Sequence, residues 1–288
     1  MDLVVDTVAY TPVHGEQLAS LAGAVGSLVV VSTASVYTDE QQRYFDVMEG
    51  PEDFPAYPVP VSESQPTIDN GEQTYSPLKA AMERVLLATP DLPVSILRPG
   101  AIHGPHSPFP REWFFVKRAL DGREHAVLAY DGESVFGTTA TANIAELARL
   151  CGERPGVRAL NAADIDPPSV RTIGETVFRL MEHDARLVGM PGPPRDALGI
   201  SPWSVPAPFV MSMDLAREQL GYQPVVTYEQ SIQASIEWML RHLGDADWRS
   251  AFPKLVERYG ADEWFDYDAE DAYVEQQTST RGTGDGPR

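Results

Sequence analysis

The sequence predicts an α/β protein built on a parallel sheet, and three observations carry the prediction. Residues 3–9 read as a buried strand and 92–100 as a third strand, and the β-branched run at 27–32 is too continuous for a half-exposed strand, so it is expected to be covered on both faces. Helical stretches stand between them, and a strand, helix, strand order implies right-handed parallel units. Hydroxyls then gather just after the second run, at Ser32, Thr33, Ser35 and Tyr37, where the carboxyl edge of a parallel sheet opens a ligand crevice.

The first strand follows Met1-Asp2 with no lead-in, so further coding sequence upstream is expected. Residues 11–22 read as a helix entered through Thr11-Pro12 and left through Gly23 and Gly26. The acidic stretch 39–71 carries Pro51, Pro55, Pro58, Pro60 and Pro66; a connection of that length is either a functional cover or mobile. The next helix opens at Tyr75 and runs through Leu87. It sets Tyr75 and Lys79 one turn apart on one face, where an ammonium favours the phenolate and suits the pair to proton transfer. An exposed helix pair without chemistry has the same spacing. Pro99 and Gly100 end the third strand and let backbone approach whatever fills the crevice.

Beyond Pro105 the pattern gives a helix over 112–120, a short strand over 126–130, a helix over 141–151 and a strand over 157–162. An amphipathic helix over 169–183 follows, with Ile173, Val177, Leu180 and Met181 on one side. Residues 190–210 are Pro-rich, with Trp203 and Phe209, and read either as ordered loop over the crevice or as a surface connection. Helices over 214–220 and 228–243 come next, helical density continues over 248–265, and residues 278–288 read as a disordered Gly/Thr tail.

With 288 residues, 43% hydrophobic and 9% aromatic, the chain is long and apolar enough to bury a sizeable core. A net charge of -20 opposes nucleic acid and anionic membrane surfaces alike. Cys151 stands alone, which excludes an internal disulfide and reads as a buried thiol rather than a reactive one. No apolar stretch approaches the ~20 residues of a membrane span, so a soluble, cytoplasmic protein is expected. Gly132-Glu133-Ser134-Val135-Phe136-Gly137 misses the nucleophile-elbow spacing by one residue, and His103 and His106 lack the spacing of a zinc pair. The carboxylates over 262–271 do not follow the order of a calcium loop and read as a solvated face.

Several short motifs occur in a set order: Asp6-x-x-Ala9 after the first strand, Ser32-Thr33-x-Ser35-Val36-Tyr37 after the second, Tyr75-x-x-x-Lys79 with Glu83 four residues on, and the run Leu97 to Pro105. Weaker matches follow at Trp113-Phe114-Phe115, at 141–147, at 160–163 and at 220–224. In that order and spacing they resemble the extended and atypical short-chain dehydrogenase/reductases, the NAD-dependent epimerase/dehydratase group, over most of residues 2–243. The resemblance implies a Rossmann-type doubly wound parallel sheet with a smaller C-terminal substrate domain, NAD or NADP as cofactor, and a small-molecule substrate oxidised or reduced at a carbinol or carbonyl carbon. It implies Tyr75 as acid/base, Lys79 as the group that lowers its pKa and holds the nicotinamide ribose, and Thr33 as the hydroxyl on the reacting oxygen. Ser35 and His103 would face substrate, while Ala9, Pro99, Gly100, Ala101 and Ile102 would border the cofactor. Asn143 replaces an Asp of the family's bridging helix, and His103 replaces a common Tyr.

The family's Gly-x-Gly-x-x-Gly turn is missing: Gly23 and Gly26 precede a strand, and Gly282, Gly284 and Gly286 lie in the tail. An N-terminally truncated member is therefore expected. The predicted division gives 1–105 with 137–165 to the dinucleotide-binding domain, 106–136 with 166–262 to the substrate domain, and 263–288 to an acidic, disordered tail. Without its neighbour, the first strand becomes an exposed apolar edge that favours instability or aggregation. A homodimer is possible on this reading. The rival is a non-catalytic binding or regulatory protein on the same fold: Trp113-Phe114-Phe115 also resembles the chloroplast stem-loop-binding branch, although the charge weighs against RNA.

Overall fold

A computed structural model describes residues 2–69, 73–260 and 264–282. The chain runs β1 (Leu3–Asp6), α1 (Pro12–Ala19), β2 (Ser27–Val31), α2 (Tyr75–Leu87), β3 (Val94–Pro99), β4 (Ala101–His103), α3 (Trp113–Leu120), β5 (His125–Ala129), β6 (Thr138–Ala140), α4 (Thr141–Glu153) and β7 (Arg158–Ala162). It continues with α5 (Val170–Leu180), β8 (Arg186–Met190), α6 (Asp214–Leu220), α7 (Tyr228–Leu243), α8 (Trp248–Ala251), α9 (Pro253–Tyr259) and α10 (Tyr267–Gly282). The chain divides into two compact units, one of Met1–His103, Phe136–Pro167 and Ala207–Ser231, the other of Gly104–Val135, Pro168–Pro206 and Ile232–Arg288.

The first unit holds a parallel sheet in the order β1-β2-β3-β7, with Val4 beside Leu28, Val30 beside Ile96 and Leu97 beside Leu160. Successive residues of β2 point to opposite faces, and both faces are covered because Leu28, Val29 and Val30 all have no exposed surface. Leu28, Val30, Val94 and Ile96 pack with Met82 and Leu86 of α2. α4 lies against β2 and β3, where Ser27 donates to the Cys151 carbonyl at 3.2 Å. Cys151 is a buried free thiol whose pKa burial pushes up. β4 and β6 form a separate parallel pair, joined through Ala101 N to Gly137 O at 2.8 Å.

The long connection after β2 is ordered over its described part. Phe45 packs among Phe54, Tyr57, Phe136 and Phe209 with ring centroids 5.0–5.7 Å away. Asp39 accepts from the amides of Gln41, Arg43 and Ala56, and Arg84 of α2 donates to the Ile68 and Asp69 carbonyls. Of the two expectations for this stretch, mobility is not met: Phe45 anchors it to Phe54 and Tyr57 within the stretch and to Phe136 and Phe209 outside it.

In the second unit β5 pairs with β8, and α10 docks its Tyr273 against Val127, Ala129 and Met190. Glu270 of α10 accepts from the buried Arg118 at 2.8 Å. The tail expected over 263–288 is therefore a packed helix over Tyr267–Gly282; residues 283–288 lie outside the described set. The 207–231 segment belongs to the first unit instead of the substrate domain, because Phe209 bridges to Phe136 and Met213 Sδ sits 3.1 Å from Ala163 N. Trp203 and Phe209, expected in a loop over the crevice or at the surface, are 1% and 0% exposed, in cores. Among the described residues no helix is long and apolar enough to cross a membrane, and no group of three His, Cys, Asp or Glu could hold a metal.

Candidate active site

The site residues are all in the first unit, at the carboxyl ends of β1, β2 and β3 and on the first turns of α2. Thr74, the N-cap of α2, makes no side-chain cap bond. Asp46 replaces it, taking the Ser76 amide at 2.7 Å and the Ser76 hydroxyl at 2.7 Å. A carboxylate there meets the orphaned amides and positive end of the helix.

Tyr75 is 44% exposed, with its ring 5.6 Å from that of Tyr10. Lys79, one turn on, is 6% exposed, and its ammonium donates to Ala9 O at 2.7 Å and Val31 O at 3.0 Å. Those carbonyls follow β1 and end β2, so Lys79 ties two strand ends to the helix. Burial pushes its pKa down, against the Glu83 and Asp6 carboxylates that raise it. Ala9 is held in place by Asp6, whose Oδ1 accepts from the Val8 and Ala9 amides at 2.9 and 2.6 Å. Two of three ammonium protons are committed, which leaves one for a ligand.

Thr33 is half-buried and caps a single 3-10 turn, accepting from Ser35 N at 3.2 Å. Its hydroxyl lies 3.0 Å from that of Ser35, which lies 2.9 Å from Ser76 Oγ. The structure thus joins Thr33, Ser35 and the Tyr75 turn in one hydroxyl network.

The Pro99–His103 stretch behaves differently from the expectation. A side chain on Gly100 would meet Gly137 O at 2.2 Å, so the glycine is required by the backbone packed beside it and not by a ligand in the crevice. Pro99 and Ala101 are buried and Ile102 is half-buried. His103 was expected to face substrate but is 2% exposed, with Nε2 2.7 Å from Asp164 and Nδ1 3.1 Å from Ser231. Both ring nitrogens are engaged within the protein, so it has none to offer a substrate.

Two residues here escaped the sequence reading. Asp164 collects His103, Thr138, Ala140 N and Asn143 on its carboxylate. Burial raises its pKa, but the His103 hydrogen bond and charge, with the Thr138 and Ala140 bonds, hold it below the ordinary range. Asp46 sits in an acidic stretch where nothing set it apart from its neighbours. Only the structure carries it to Ser76.

The described residues fit one end of a nicotinamide dinucleotide better than the other. Lys79, Tyr75 and Thr33 offer a cation, a phenol and a hydroxyl at strand ends. A pyrophosphate needs free amides at a tight strand-to-helix turn. After β1 those amides are taken: Tyr10 N and Thr11 N point to His14 Nδ1, at 3.1 and 3.2 Å, and His14 N to Thr11. Among the described residues no glycine-lined turn replaces them.

A parallel sheet carrying a Tyr-x-x-x-Lys helix at its carboxyl edge is a Rossmann-type fold. An NAD-binding family model, described as male sterility protein, matches residues 13–127. The uncharacterized protein YbjS of Escherichia coli (strain K12) is 24% identical over 196 residues, 57% of this chain and 56% of YbjS, so the chain spans about half the length of that curated relative. Among solved structures, MoeE5 in complex with UDP-glucose and NAD matches with a TM-score of 0.59 at 18% identity, over 85% of this chain and 81% of that one. dTDP-glucose 4,6-dehydratase of Bacillus anthracis str. Ames, in complex with NAD, matches at 0.58 and 19%, over 84% and 73%. WbmG of Bordetella bronchiseptica, in complex with NAD, also gives 0.58 and 19%, over 88% and 66%. These likenesses show a Rossmann-type α/β fold similar to that of solved structures that hold NAD.

Proposed function

We propose that the protein is a nicotinamide-dependent oxidoreductase of the epimerase/dehydratase type, acting on a carbinol or carbonyl carbon of a small molecule such as a nucleotide sugar. The observation that carries this reading is the buried Lys79 ammonium, one turn from Tyr75, which is fixed to Ala9 O and to the carbonyl of Val31, two residues before Thr33. MoeE5, similar in fold, binds UDP-glucose and NAD, which supports the substrate class.

A nicotinamide ring, when bound, accepts or returns a hydride at the reacting carbon. Tyr75 takes or gives the proton of the reacting oxygen, and the charge of Lys79 favours the phenolate. The third ammonium proton of Lys79 is placed for a ribose hydroxyl. Thr33 holds the reacting oxygen, with Ser35 behind it. Ala9 and the Pro99, Gly100, Ala101 and Ile102 backbone form the border toward the cofactor.

The occupied amides ahead of α1 favour a second reading, a binding or regulatory protein without turnover. Fluorescence titration with NADH and NADPH, followed by assay with UDP-glucose and NAD, separates the two. Turnover that Tyr75→Phe lowers by roughly 10²–10⁴-fold supports the enzyme. Cofactor binding without turnover, or turnover indifferent to Tyr75→Phe, supports the binding protein.

A further inference from the structure

A group that transfers a proton works only while it points at the reacting oxygen, and a misplacement of about 1 Å can cost ~10²-fold in rate. Tyr75 is the first residue of α2, and a side chain there leans toward the helix N-terminus, off the end of the packed turns. It is 44% exposed, and exposed side chains change rotamer within picoseconds to nanoseconds. The helix alone does not hold this phenol still.

The ring beside it is that of Tyr10, half-buried, with centroids 5.6 Å apart and planes 32° apart. That separation lies within the roughly 4.5–7 Å over which tilted and offset aromatic pairs attract. Tyr10 stands on fixed backbone. The Ala9 carbonyl before it takes the Lys79 ammonium at 2.7 Å, the Ala9 amide donates to Asp6 at 2.6 Å, and its own amide donates to His14 Nδ1 at 3.1 Å. The α1 helix that follows sits close on α2: a side chain on Gly15 would come within 3.2 Å of the Met82 carbonyl oxygen. Lys79, one turn from Tyr75, thus also holds the backbone that carries the neighbouring ring.

We propose that Tyr10 is a positioning residue: its ring is a fixed wall that confines the Tyr75 phenol to one orientation at the carboxyl edge of the sheet. The inference rests on the reading of Tyr75 as acid/base. The contact is between rings and uses no hydroxyl, so Tyr10→Phe should preserve the wall and Tyr10→Ala should remove it.

The experiment is NMR of the full chain with ¹³C in the tyrosine rings, the signals of Tyr10 and Tyr75 being assigned by Tyr10→Phe and Tyr75→Phe. The natural chain should show an Overhauser effect between the two rings and a Tyr75 ring as ordered as rigid backbone, with an order parameter of about 0.85. Tyr10→Ala should bring that below about 0.6 and shift the Tyr75 signal, while Tyr10→Phe leaves both near their natural values. No Overhauser effect in the natural chain, or a Tyr75 ring equally ordered in Tyr10→Ala, overturns the proposal. Neither measurement needs a cofactor or substrate.

In turnover of UDP-glucose with NAD, Tyr10→Ala should lower kcat by roughly 10²-fold with cofactor affinity within about twofold, and Tyr10→Phe should restore kcat. A loss that Tyr10→Phe does not restore overturns the positioning role. The underlying reading is tested separately: if the Tyr75 ring loosens as expected but Tyr75→Phe leaves turnover unchanged, the acid/base reading has failed and the wall stands.

Discussion

Tyr37 gives its proton to Asn161 Oδ1 at 2.6 Å and receives one from Arg98 at 3.2 Å, with no exposed surface. Burial pushes its pKa up to about 12, and the neighbouring Arg98 works against that rise. The sign follows from linkage: the unfolded phenol, with its ordinary value of 10.0, sheds its proton first, so unfolding releases a proton between pH 10 and about 12. Stability from this residue is full below pH 10 and falls across that window. Urea unfolding from pH 9 to 12 should show the fall, and Tyr37→Phe should flatten part of it. Tyr57, Tyr130, Tyr222 and Tyr267, also raised by burial, contribute to the remainder. Arg98 in turn holds Glu83 at 2.6 Å, both almost fully buried. Glu83→Ala leaves the guanidinium without its carboxylate and should cost about 3–5 kcal/mol in urea unfolding. A loss below ~1 kcal/mol would mean that water replaces the carboxylate.

At the scale of elements, the helices with long apolar periods were legible, as were the five-residue strands β5 and β7, but three other short strands were not. The sequence marks Tyr75–Leu87, Asp214–Leu220 and Tyr228–Leu243 at their observed bounds. It misses β4, β6 and β8, which have three to five residues and little periodicity to read. α10 was lost because it is polar over most of its length and docks through a few residues such as Tyr273 and Glu270. Of the candidate site, Tyr75, Lys79 and Thr33 were visible as local patterns, whereas Asp46 and Asp164 act on residues 30 and 61 positions away. Gly100→Ala tests the closest contact between elements. The added carbon meets the Gly137 carbonyl, just before β6, at 2.2 Å, and backbone cannot swing aside as a side chain can. Melting should fall by the equivalent of roughly 3 kcal/mol or more, beyond ordinary overpacking. Ser169→Ala removes the α5 cap, whose hydroxyl receives Thr172 N at 3.2 Å, and should cost ~1 kcal/mol.

For the whole molecule, the sheet edge and the net charge act against one another. β1 ends the sheet order, and among the described residues no strand pairs with its outer side. Its Leu3 and Val5 are 37% and 47% exposed, and Val8 beyond it is 78% exposed. An apolar edge with unpaired amides is a template for another strand. The charge of -20 repels a second copy over a range that salt controls, roughly 30 Å at 0.01 M and 3 Å at 1 M. Self-association through the edge should therefore be weak at low salt and grow as salt rises, opposite to an interface held by ion pairs. Sedimentation velocity at several protein concentrations from 0.01 to 1 M salt reads this as a rising average mass. Val5→Lys with Val8→Lys places like charges on the edge and should hold the mass constant across that range. If the mass falls with salt, or the double substitution leaves the rise unchanged, copies meet through some other surface and the edge of β1 is not the one that matters.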